Sequence, residues 1–128
     1  MAGTLVITTL SDGTNSTSAT NCIQGSAKAW VNFAGAAGTI NGSFNVASVT
    51  KNATGNYTIN FSTAMPNTTY AILGTIGDTG AALASSALPC VLPVTRTTSS
   101  AVVLTAYTLG GAIIGNTYDN TAVAVFSS

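Results

Sequence analysis

The chain has 128 residues, of which 46% are hydrophobic by type, yet only Lys28, Lys51, Arg96, Asp12, Asp78 and Asp119 carry charge. It has no His and no Glu, and its net charge is zero. Three scattered cations make no basic face for nucleic acid. High hydrophobicity without net charge excludes intrinsic disorder, and the missing charge leaves an amphipathic helical bundle without outer faces.

In chain order, residues 4–10 read as a first strand and 12–21, rich in Ser, Thr and Asn, as a loop. Asn41-Gly42 suits a type I′ turn. It predicts a hairpin in which 27–40 pairs with 43–50, with a bulge or break in 35–38. Tyr57-Thr58-Ile59-Asn60-Phe61-Ser62 alternates with period two, which places Tyr57, Ile59 and Phe61 on one face. The turn-forming stretch 51–56 then joins 43–50 to 56–63 as a second hairpin. Met65-Pro66-Asn67 is a turn. Residues 70–76, 90–95, 101–109 and 122–126 are further strands, and a short helix is expected over 81–86. About eight short strands separated by turn signals predict an all-β chain, a single antiparallel β-sandwich or small barrel. Residues 1–128 form one domain, with 1–21 as an N-terminal arm and 22–128 as the β module.

The outward strand positions are Thr, Ser and Asn instead of Lys and Glu. Edge strands are normally blunted by charge, so the edges here are expected to be covered by other copies, and the chain to be an obligate homo-oligomer. The apolar windows 81–94 and 101–114 are cut by Pro or Gly and are too short to cross a membrane as a helix. No secretory signal is legible, which implies synthesis in a reducing cytoplasm. Cys22 and Cys90 are therefore expected as free thiols.

The chemistry expected of an enzyme is absent from the inventory. The three Asp residues lie in separate turn-like settings. Ser26 and Lys28 form no specific nucleophile motif, and no phosphate loop, nucleophile elbow or zinc spacing occurs. Asp12-Gly13-Thr14-Asn15 offers few of the oxygens calcium requires. Six Asn-x-Ser/Thr triplets, at Asn15, Asn41, Asn52, Asn56, Asn60 and Asn67, follow from the composition. No catalytic residue, cofactor or metal is expected. Trp30, the single Trp, falls on the strand face opposite Ala29, Val31 and Phe33. It reads as core or subunit-interface packing, with a sugar-stacking platform as the competing reading.

The string Ala27-Lys28-Ala29-Trp30-Val31-Asn32-Phe33, followed by Ser43-Phe44-Asn45-Val46, Gly55-Asn56-Tyr57-Thr58-Ile59-Asn60-Phe61, Ala64-Met65-Pro66-Asn67 and Tyr70, resembles a module of bacteriophage virion structural proteins. These include tail-fibre proteins of marine and freshwater phages. The ending Tyr118-Asp119-Asn120 with Val123-Ala124-Val125-Phe126 is similar, and the resemblance spans about 20–126. It implies a non-enzymatic, particle-borne and commonly trimeric protein, located in the virion. With about 20 residues before the module and no room for a shaft, a capsid decoration (cement) protein is expected, with a tail-fibre or receptor-binding tip as the alternative. The implied partners are further copies of itself, a major capsid protein or tail proteins, and a host surface glycan, but neither nucleic acid nor membrane. Trp30, Phe33, Phe44, Tyr57 and Phe61 are the expected core or interface anchors. Leu5, Val6 and Ile7 are the expected arm contact, adding a strand to a neighbour's edge.

Overall fold

Two antiparallel sheets share the residues that alternate inward along their strands. A computed structural model describes residues 3–77, 88–109, 112–115 and 118–127. Sheet I has the order β4 (Thr39–Phe44), β3 (Ala29–Ala34), β11 (Asn120–Phe126) and β7 (Ala71–Gly77). Sheet II runs β5 (Val46–Ala53), β6 (Asn56–Phe61), β9 (Ser100–Leu109) and β8 (Leu88–Arg96). The short β10 (Ala112–Gly115) pairs with β9 beyond the end of β6. A strand has only two edges, and β8 occupies one of them, so β10 continues the line of β6. The small hairpin β1 (Thr9–Ser11) and β2 (Ser16–Ser18) and the helix α1 (Ala19–Gly25) precede the sandwich.

The core follows from the period-two pattern. Val31, Phe33, Val123 and Val125 point inward from sheet I and meet Tyr57, Ile59, Phe61, Ala101 and Val103 from sheet II. Phe33 and Tyr57 make an edge-to-face contact across the layers, with centroids 5.0 Å apart. Phe61 and Tyr70 repeat that geometry at 5.8 Å. The buried Tyr57 hydroxyl donates to the Gly35 carbonyl at 2.7 Å, and the Gly35 amide donates to the Tyr118 carbonyl at 2.9 Å. A core aromatic thereby fixes the β3–β4 turn to the start of β11. At the opposite rim Gly74 of β7 lies against Val91 of β8, where a Cβ would stand 2.8 Å from the valine Cβ. The absent side chain lets the two sheets close along that edge.

Several boundaries differ from the sequence expectation. The hairpin of β3 and β4 forms, but its turn lies at 35–38, where Gly38 takes a positive φ of 72°. Asn41-Gly42 is instead inside β4, with Gly42 opposite Asn32. The segment 43–50 is not one strand. It breaks at Asn45, whose φ of 55° is left-handed, and the chain passes from sheet I to sheet II. Asn tolerates this conformation better than other non-glycine residues, and the side chain secures it. Asn45 Nδ2 donates to the carbonyls of Lys28 and Thr63, both at 3.1 Å, while its Oδ1 accepts the Thr63 amide at 2.7 Å. The β5–β6 turn is only Thr54 and Gly55, so much of 51–56 is strand.

Upstream, 4–10 is not a strand over its length. Only 9–11 pairs, and the expected loop 12–21 contains β2 and the start of α1, capped by Ser18 Oγ accepting the Asn21 amide. The helix expected over 81–86 lies outside the described residues.

Candidate interaction surface

The outward side chains of sheet I form an uncharged surface crossed by an apolar row. Registration places Phe44 opposite Trp30, Trp30 opposite Ala124, and Ala124 opposite Leu73, so one row crosses all four strands. Phe44, Trp30 and Leu73 are 56%, 43% and 60% exposed. The next row is Gly42, Asn32, Ala122 and Thr75. Gly42 lies beneath the indole, whose nearest ring atoms are 3.5 and 3.6 Å from where a Cβ would be, an ordinary contact distance. Neither row carries a charge. The alanines of β11 keep the middle of the face low between Trp30 and Leu73, and this shallow trough is lined by Trp30, Leu73, Ala122 and Ala124.

Of the expected anchors, Phe33, Tyr57 and Phe61 are core residues. Trp30 and Phe44 stand together on the outer face, which removes the core reading of Trp30. Leu73 escaped the sequence reading because Ile72-Leu73 is apolar on both strand faces and hides the phase of β7. Only the pairing with β11 reveals that Leu73 joins the row.

The arm is a second unburied surface. Leu5 and Val6 are 81% and 87% exposed, and Ile7, Leu10 and Ile23 are also exposed. From residue 3 to residue 26 only Ala19 and Cys22 are even half-buried. What orders the arm is local. Asp12 Oδ1 accepts the Asn15 and Thr14 amides at 2.7 and 2.9 Å, and these bonds hold its carboxyl below the usual range. The Ala19 amide donates to the Thr8 carbonyl at 2.9 Å. Ser26 Oγ donates to the Cys22 carbonyl and Lys28 Nζ to the Ile23 carbonyl, both at the end of α1. Those bonds give Ser26 and Lys28 capping roles.

The outer face of β5 and β6 is polar and uncharged. Asn60 Nδ2 donates to Ser48 Oγ at 3.0 Å, and Asn52 Nδ2 to Asn56 Oδ1 and Thr58 Oγ1, both at 2.9 Å. Cys22 and Cys90 are free thiols. Among the described residues no three His, Cys, Asp or Glu side chains cluster where they could hold a metal ion. No described helix is long and apolar enough to cross a membrane. Comparison of the chain with protein-family models, with curated proteins and with solved structures finds no match.

Proposed function

We propose that the chain is a non-enzymatic virion surface protein, a homotrimeric decoration (cement) protein that stabilises a phage head. The observation that carries the contact role is the uncharged row of Phe44, Trp30, Ala124 and Leu73 on an outer sheet face. Such a row is suited to burial against protein and offers no group for acid–base or metal chemistry. The virion assignment is supported by the resemblance of the strings around Trp30 and Tyr57 to phage structural modules. An uncharged contact depends weakly on salt, and repetition over a shell gives many weak contacts collective strength.

A second reading, the tip of a tail fibre that attaches to a host glycan, is favoured by the Asn, Ser and Thr network on β5 and β6. Its uncharged donors and acceptors match sugar hydroxyls. Immunogold labelling of phage particles with an antibody against the chain separates the two. Gold spread over the head, with the purified chain rebinding stripped capsids and raising their melting temperature, is the expected result. Gold confined to the tail selects the second reading, and unlabelled particles overturn both.

A further inference from the structure

Two features of the chain are unsatisfied in the same way. Among the described residues the edge strand β4 pairs on one side only, with β3. Its sequence, Thr39-Ile40-Asn41-Gly42-Ser43-Phe44, has no charge and no proline. Apart from the irregularity at Asn41, where the register with β3 skips one residue, it lacks the charge and proline that stop an open edge from accepting another strand. The segment Leu5-Val6-Ile7 is an aliphatic, β-competent trio that pairs with no strand among the described residues, and its Leu5 and Val6 lie almost wholly in solvent.

We propose that in the assembled protein Leu5-Val6-Ile7 of one copy adds as a strand to the β4 edge of a second copy, beside the row that begins at Phe44. The inference deepens the assembly reading above and rests on it for the existence of self-association. It names the occupant of the β4 edge: a second copy, through its arm. Area supports this choice. Phe44, Trp30 and Leu73 leave about 300 Å² open, well short of the roughly 800 Å² per partner of a stable interface. Two such rows laid face to face are too small. The arm's exposed aliphatics contribute a similar area, and the edge supplies backbone hydrogen bonds as well. Charge supports it too. Residues 3–26 carry only Asp12, and the two rows carry none, so no sign selects a foreign partner. In a strand, Leu5 and Ile7 share one face and Val6 takes the other. One face of the arm can therefore continue the apolar row while the other covers the rim of the sandwich. An arm given to one neighbour and a β4 edge offered to another is a head-to-tail contact, which closes as a ring in a trimer.

The test places the photoreactive residue p-benzoylphenylalanine at position 6 of the full chain. Irradiation is expected to yield bands of two and three chains. Trypsin cuts after Lys28 and Lys51, so the linked peptide spans 29–51, and fragmentation should place the bond within 39–44. A one-chain adduct on β4 means the arm folds back on its own edge and overturns the exchange. Linkage outside 39–44, or no adduct, overturns it as well. Val6→Asp supplies the second arm. It should leave the melting temperature of the dilute chain unchanged, because Val6 packs on nothing, and should weaken self-association tenfold or more, roughly. Unchanged self-association refutes the proposal. Head labelling with no exchange removes only the arm contact, whereas exchange on unlabelled particles removes only the virion reading.

Discussion

Replacing Trp30 by Ala separates a surface built for contact from one that supports the fold. The side chain is 43% exposed. Of the roughly 250 Å² a tryptophan presents, about 100 Å² is therefore open to water in the single chain. Covering that area at about 25 cal/mol per Å² stabilises an assembly by about 2.5 kcal/mol, an affinity factor of roughly 70. The single chain loses less. The indole rests over Gly42 on an open face, so its removal leaves no sealed cavity, and a cost of about 1 kcal/mol lowers the melting temperature by about 3–5 °C. Phe33→Ala is the control. Phe33 is fully buried against Tyr57, and its truncation should cost about 3–5 kcal/mol. Sedimentation velocity across a concentration series reads the assembly, and calorimetry of the dilute chain reads the fold. The reasoning fails if Trp30→Ala melts as low as Phe33→Ala. It fails equally if self-association is unmoved, because the row would then be idle.

Three other perturbations probe the features around that face. Gly74→Ala pushes a methyl to within 2.8 Å of Val91. It should destabilise by about 1–3 kcal/mol, and Val91→Gly in the same chain, which removes the valine Cβ as well as its methyls, should relieve that clash and restore part of the loss in a thermal melt. Thr121 is fully buried, and its Oγ1 has no hydrogen-bond partner among the described residues. Thr121→Val should therefore leave stability unchanged or raise it by up to about 1 kcal/mol, and a lower denaturation midpoint would show that the hydroxyl is paired. Asp12 has its carboxyl held below the ordinary value of 3.8 by the Asn15 and Thr14 amides. The stabilisation it gives the β1–β2 turn is present above that value and is lost as pH falls through the lower folded one. Amide chemical shifts of Thr14 and Asn15 should titrate together with a midpoint below 3.8, while those of core strands stay still.

The parts of this fold legible in sequence were those set by local alternation. Tyr57, Ile59 and Phe61 announce their shared face because polar residues separate them. What misled was turn chemistry without its surroundings. Asn41-Gly42 has the composition of a hairpin turn, but Gly42 serves in mid-strand as the low point beneath Trp30, and the turn falls at Gly38. The break at Asn45 was invisible because it depends on carbonyls of Lys28 and Thr63, 17 and 18 residues away. The aromatic residues of the candidate face were legible as anchors, but their division into core and surface was less so. The phase of Phe44 and Leu73 is decided by pairing partners, and pairing is not a local property.

The position of β11 has a consequence for how the chain is made. It lies between β3 and β7 in the middle of sheet I, although roughly 85 residues separate the end of β3 from its start, a stretch that takes on the order of 4–17 s to synthesise. Until β11 emerges, the nascent β3–β4 hairpin holds Val31 and Phe33 without the strand that pairs beside them. Sheet I therefore cannot close until β11 has been made, and until then growing chains expose an apolar edge to one another. With so few charges to repel them, the yield of folded protein should depend on expression rate and temperature more steeply than its final stability suggests.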